Sequence, residues 1–137
     1  MATPANVTTS TVGTFKVSAI GFGSIEQGNI SFEDDGEGFK VRVFKTEIGV
    51  TQSFELVFSR KQPSEQYDVK DLTALYHKES AGEYFDYGPV SGTVKVWYTD
   101  SPRKTKGEFD MEMKKIKGDP GGPVKLSVTG SFDLSNS

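Results

Sequence analysis

The sequence predicts an all-β protein, a single antiparallel β-barrel or curved β-sandwich of about nine or ten strands. Three observations carry that prediction. Apolar and polar residues alternate with period two through most of the chain, as they do in half-buried strands. Turn residues interrupt the alternation at roughly 8–12 residue intervals. A glycine followed by one polar and one large apolar residue recurs four times, as Val12-Gly13-Thr14-Phe15, Ser91-Gly92-Thr93-Val94, Lys106-Gly107-Glu108-Phe109 and Thr129-Gly130-Ser131-Phe132. Glycine weakens a strand, so it belongs where a sheet bends, bulges or admits another backbone closely. Repeated kinks let a twisted sheet curl onto itself and lose its exposed edges.

Residues 1–11 are mostly Thr, Ala, Ser, Asn and Pro and read as a flexible lead-in to one domain over 12–137. The first strand runs from about Gly13 to Ile20, with Phe15, Val17 and Ala19 on one face, and Gly21, Gly23 and Ser24 end it. A second strand from about Gly28 to Glu33 turns Ile30 and Phe32 inward. Asp34-Asp35-Gly36-Glu37-Gly38 is an Asp-Gly turn into Phe39–Val43, the clearest hairpin of the first half. A fourth strand, Thr51 to Arg60, carries Phe54, Leu56 and Phe58, and Lys61-Gln62-Pro63-Ser64 stops it. Leu72, Leu75 and Tyr76 have helical spacing, but the segment also reads as a turn at Lys70-Asp71 and a strand carrying Ala74 and Tyr76. The strand fits its flanking strands better.

Glu83 to Tyr87 forms a short aromatic strand that Gly88-Pro89 breaks. Gly92 to Tyr98 sets Val94, Val96 and Tyr98 against Thr93, Lys95 and Trp97. Lys106 to Lys114 places Phe109, Met111 and Met113 on one face. Gly118–Pro123 is the loop of a long hairpin. The last strand keeps Val124, Leu126, Val128, Phe132 and Leu134 in phase. No helix longer than about two turns fits the pattern.

Composition narrows the function. A chain of 137 residues can bury about two-thirds of its unfolded surface in one core. It has no cysteine, which removes disulfides, thiolate metal sites and cysteine nucleophiles. Sixteen basic and nineteen acidic residues give a formal charge of -3, too balanced to imply a nucleic-acid groove or an anionic membrane surface. The apolar runs are too short for a transmembrane helix. Residues 1–10 lack the basic and apolar regions of a signal peptide. A cytoplasmic protein and a mature secreted form with an added Met both fit, so the compartment stays open, as does the oligomeric state.

The order of elements in the C-terminal half resembles the small lipocalin-like β-domains found in many bacterial proteins of unknown function. The resemblance rests on a Tyr-containing strand, then Ser91-Gly92-Thr93-Val94-Lys95-Val96, Lys106-Gly107-Glu108-Phe109 and a closing Thr129-Gly130-Ser131-Phe132-Asp133. It implies a barrel fold and no catalytic residues.

Candidate chemistry is sparse. His77 is the single histidine. Asp86 and many serines are available to it, but no Gly-x-Ser-x-Gly elbow holds a nucleophile. A metal site with one histidine and no thiolate would need mostly carboxylates, so no metal or cofactor is expected. Glu33-Asp34-Asp35-Gly36-Glu37 gathers carboxylates without the spacing of a calcium loop, and reads as an exposed hairpin tip. Arg103–Lys106 and Lys114–Lys117 lie about 30 Å apart along one strand and form no single phosphate cradle. They guard a hairpin against edge association.

The aromatic residues are the most suggestive feature. Tyr67, Tyr76, Tyr84, Phe85, Tyr87, Trp97 and Tyr98 crowd one segment, and Tyr76, Tyr84, Tyr87, Trp97 and Tyr98 are the candidate ligand-binding residues. Three readings stay open. The first is a non-catalytic module holding a small amphipathic molecule inside a barrel lined by Phe15, Val17, Phe54, Leu56, Phe58, Phe109, Met111 and Met113. The second is a glycan- or protein-binding surface around an exposed Trp97 close to the tyrosines of the Tyr84–Tyr87 strand. The third is an enzyme whose carboxylate site would combine Asp86 with Glu83 or His77. A binding module fits better than an enzyme because no catalytic set stands out.

Overall fold

The structure is a computed structural model that describes residues 11–136 apart from Gln27 and Asp35. Ten strands follow in order: β1 (Thr11–Ala19), β2 (Gly23–Ile25), β3 (Asn29–Asp34), β4 (Phe39–Glu47), β5 (Val50–Phe58), β6 (Ser64–Asp68), β7 (Thr73–Ser80), β8 (Glu83–Asp100), β9 (Arg103–Gly118) and β10 (Lys125–Asn136). A single 3₁₀ turn, Val69–Asp71, is the one helical element among the described residues. The Asp68 carboxylate opens it by accepting from the Lys70 amide at 2.9 Å.

All pairings are antiparallel, in the order β2-β1-β10-β9-β8-β7-β5-β4-β3. β6 and β7 share one edge of β8, with β7 taking Glu83–Tyr87 and β6 taking Thr93–Trp97. The outermost strands, β2 and β3, are consecutive in the chain and joined by residues 26–28, so the sheet curls until its edges meet. At one end of this seam β2 pairs with β1 over Val17–Ala19. At the other, the Phe32 amide donates to Thr11 Oγ1 and Asn136 Nδ2 donates to the Phe32 carbonyl, each at 3.1 Å. The all-β, barrel-like architecture expected from the alternation is the one found.

The inward residues make one continuous core. Phe15, Phe54 and Phe109 pack at 4.9–6.3 Å between ring centroids, with Phe132 5.3 Å from Phe15. The glycine motif serves two purposes here. Gly13 and Gly92 have φ of +127° and +128°, which side-chain-bearing residues rarely adopt. Gly107 and Gly130 have no such angle. They lie opposite Phe132 and Phe109 across the β9–β10 pair, and those rings fill the space a Cβ would need.

Several boundaries differ from expectation. Thr11 already belongs to β1, while a lead-in over residues 1–10 lies outside the described residues. β2 and β6 occupy segments read as connections. The turn read at Lys70-Asp71 is the 3₁₀ turn, and a strand, Thr73–Ser80, follows it with Ala74 and Tyr76 buried. Gly88-Pro89 does not end a strand, because β8 continues through it with register shifts at Asp86/Tyr87 and Pro89/Ser91. Bulges absorb a glycine and a proline that would otherwise interrupt the ladder. Val124 lies just outside β10 and is 70% exposed instead of joining the core.

Candidate functional site

The residues expected to line a ligand cavity pack against one another inside the barrel. Phe15, Val17, Phe54, Leu56, Phe58, Phe109, Met111 and Met113 are all buried and belong to one packed cluster. The aromatic rings that would have faced a ligand face one another.

The five candidate aromatics separate into three places. Tyr76 and Tyr87 are paired in register on β7 and β8, fully buried, with ring centroids 6.3 Å apart. Phe22 packs on both. Their hydroxyls are buried but bonded: Tyr76 donates to Gln52 Oε1 and Tyr87 to the Pro123 carbonyl, each at 2.7 Å. Burial pushes both phenols up from their ordinary range. Tyr98 sits in the core nearer the opposite end, 4.8 Å from the Phe39 ring, and donates to Asp100 Oδ1 at 2.9 Å. Burial, helped by that hydrogen bond, pushes its phenol up to about 12. Tyr84 is half-buried outside the barrel, 6.2 Å from the His77 ring.

Trp97 stands apart from them all. It is half-buried on the outer face, as the alternation of its strand predicts. It is not near Tyr87 or Tyr84, which lie ten and thirteen residues away on the same strand, roughly 30–40 Å. In register its neighbours are Ser64 of β6 and Lys106 of β9, and the row continues through Asp133 of β10 to Thr14 of β1. The ammonium groups of Lys95 and Lys106 lie 5.8 and 5.2 Å from its ring centroid. Two shallow grooves of about 330 and 190 Å³ flank the indole and share Trp97, Lys106 and Asp133 as a common wall. Thr14 lines the smaller groove and also a third, of about 560 Å³, along the β1–β3 seam. A polar track therefore crosses the outer face from Trp97 to the seam. Lys106, Asp133 and Thr14 were not among the expected site residues, because only the pairing of β8, β9, β10 and β1 brings them to the tryptophan.

The other sequence candidates have local partners. His77 Nδ1 and Asp86 Oδ1 form a close pair across β7 and β8, and Ser53 is opposite His77 on β5. This is a Ser–His–Asp row lying on the outer surface of a sheet. No hydroxyl hydrogen bond to His77 occurs among the described residues, and neither the Trp97 grooves nor the seam reaches it. In the acidic turn, Asp34 accepts from Lys61 at 2.7 Å and from the Gly36 amide at 2.8 Å, and pairs with Arg103 at 3.1 Å. The Lys61 bond, then the Gly36 amide, holds the Asp34 carboxyl below its ordinary range. Both cations share Asp34 Oδ2, and the Gly36 amide takes Oδ1.

No protein-family model, curated protein or solved structure matches the chain. The likeness to lipocalin-like domains therefore rests on the motif order alone, and function is argued from the geometry.

Proposed function

We propose that this protein is a non-catalytic binding module that recognises an acidic glycan on the outer face around Trp97. One observation carries the reading: a half-exposed indole set between Lys95 and Lys106, on the shared wall of two grooves. An indole offers a flat apolar face for the C–H side of a sugar ring, while hydroxyl, carboxylate and ammonium groups around it bond to sugar oxygens. Thr14, Lys106 and Asp133 supply those groups along the track. Each exposed lysine–indole contact is worth about 0.5–1 kcal/mol, small enough for a sugar carboxylate to draw the ammonium away and free the ring. The filled interior supports the same direction, since a ligand could enter it only by unpacking the phenylalanine core.

The test is a titration with uronate-containing oligosaccharides followed by the emission of Trp97, the single tryptophan. A saturable change is expected. Trp97→Ala should weaken binding, measured by calorimetry, by about thirtyfold or more, as for a central contact residue. Lys106→Ala should weaken acidic oligosaccharides more than neutral ones. Absence of a saturable response to the oligosaccharides, or undiminished affinity in Trp97→Ala, would overturn the proposal.

A further inference from the structure

We infer that the rim formed by the β1–β2 turn and the β9–β10 hairpin docks on an anionic lipid surface. Three large aliphatic side chains stand in solvent there: Ile20 is 69% exposed, Ile116 57% and Val124 70%. They belong to one edge of the barrel, because β1, β10 and β9 are adjacent strands. The Ile20 amide donates to the Ser127 carbonyl at 3.1 Å, and the Lys115 amide to the Val124 carbonyl at 2.9 Å. Single exposed aliphatics are ordinary, but a group of them on adjoining turns marks a contact surface.

The charges around them identify the partner. Lys114 and Lys125 are directly opposite each other across β9 and β10, and both are exposed. Like charges at that spacing repel and destabilise a strand pair unless an anion lies between them. Lys117 is opposite Asp86, whose carboxylate is engaged by His77. None of these three lysines forms an ion pair among the described residues. The remaining charged groups of the hairpin are used internally. Lys115 Nζ donates to the carbonyls of Asp119 and Gly121 at 2.9 and 2.8 Å, and the Asp119 carboxylate accepts from the Tyr84 amide at 2.8 Å. Those bonds hold the loop in shape before any partner arrives.

Aliphatic residues interleaved with unpaired lysines match a bilayer interface with anionic headgroups, which takes apolar side chains and ammonium groups together. A nucleic acid would instead require exposed stacking aromatics beside the lysines, whereas Phe22, Tyr84 and Phe85 are half-buried and Lys115 covers Phe85 at 5.4 Å. The neighbouring β4–β5 and β7–β8 tips carry Glu47, Glu79 and Glu83, so an anionic surface favours a tilted approach on the β1, β9 and β10 side. Trp97 lies toward the far end of β8, and its face stays free in this orientation.

The test is co-sedimentation with phosphatidylcholine vesicles, alone or with roughly a third phosphatidylserine, an anionic content that attracts basic segments. Partitioning is expected with the anionic vesicles only, and should fall as salt is raised. Each lysine near the surface contributes about fivefold, so Lys114→Gln/Lys125→Gln should weaken partitioning about 25-fold. Because this change also removes a repulsion, its urea midpoint should stay level or rise, which separates lost docking from lost fold. Ile116→Ser/Val124→Ser should weaken partitioning with the charge intact. Failure to sediment with anionic vesicles, equal sedimentation with neutral ones, or undiminished partitioning in Lys114→Gln/Lys125→Gln would overturn the inference.

Discussion

Replacing Gly107 by alanine tests whether the repeated glycine motif exists to make room for aromatic rings. A Cβ at Gly107 would lie 2.4 and 2.6 Å from Cζ and Cε2 of Phe132 and 3.0 Å from the Lys95 carbonyl oxygen. The ring has little room to retreat, because it is buried with Phe15 at 5.3 Å and Phe58 at 6.4 Å. Overpacking of this kind costs about 1–3 kcal/mol. Gly107 has no left-handed backbone angle, so alanine regains about 0.4–1 kcal/mol by restricting the unfolded chain. The net loss should be about 1–2 kcal/mol, or a fall in Tm of about 3–6 °C for a chain of this length. Urea unfolding of Gly107→Ala, Phe132→Leu and the double variant closes a cycle. The smaller leucine should absorb part of the clash, giving a favourable coupling of about 0.5–1.5 kcal/mol. Gly92→Ala provides the contrast. Its added Cβ meets the Asp110 carbonyl oxygen at 2.3 Å at a φ of +128°, so trimming a neighbouring side chain cannot rescue it. A Gly107→Ala protein as stable as the parent, with no coupling to Phe132, would refute the packing argument.

Two predictions concern pH. Tyr67, Tyr76, Tyr87 and Tyr98 are held protonated by burial, Tyr98 up to about 12, whereas tyrosines of an unfolded chain ionise near 10. Their contribution is therefore complete below about pH 10 and lost as pH rises through the folded values, so the urea midpoint should fall in that window. Tyrosinate absorbance in the folded protein should lag behind the unfolded curve, and coincident curves would refute the burial of these phenols. For Asp34 the sign is opposite. Its folded carboxyl is depressed by Lys61 and the Gly36 amide, so its contribution is present above the unfolded value of about 3.9 and disappears as pH falls through the lower folded value. Asp34→Asn should lower the midpoint at neutral pH, and the gap should close in acid. An acid-insensitive gap would remove the ion pair from the account.

The alternation made most strands legible, since a residue that must be buried on one face and wet on the other announces itself by its spacing. Phe15, Val17, Phe54, Leu56, Phe109 and Met111 all face inward as their spacing requires. The same rule placed Trp97 outside, while the strand over Thr73–Ser80 was favoured by the strands that flank it. The rule failed where register slips. Tyr87 and Val94 both point inward although the interval between them, seven positions, is odd, because the irregularity around Val90 reverses the phase of β8. That reversal places Tyr87, beside Tyr76 of β7, in the core with Tyr98 and leaves the tyrosine-rich segment without a shared surface. The partners of Trp97 were hidden for a different reason. Lys106, Asp133 and Thr14 reach it only through strand pairing, which period-two spacing does not encode.

β10 is flanked by β1 on one side and β9 on the other, and Thr11 Oγ1 donates to Asn136 Oδ1 at 3.0 Å across a sequence separation of 125. Over most of its length β1, which β2 covers only at Val17–Ala19, is thus paired only once β10 has been made. Until then β1 and β9 present bare edges, and Phe15 and Phe109 lack the cover of Phe132 and its neighbours on β10. Completion of this fold is a late, nonlocal event, which places the protein among slow-folding topologies with a long window of exposure to aggregation. The same adjacency brings the two ends of the described domain together. A short linker joining them, with new termini at the exposed Ile48-Gly49 tip, should yield a circular permutant in which β1 and β10 are contiguous and the late step becomes an early hairpin.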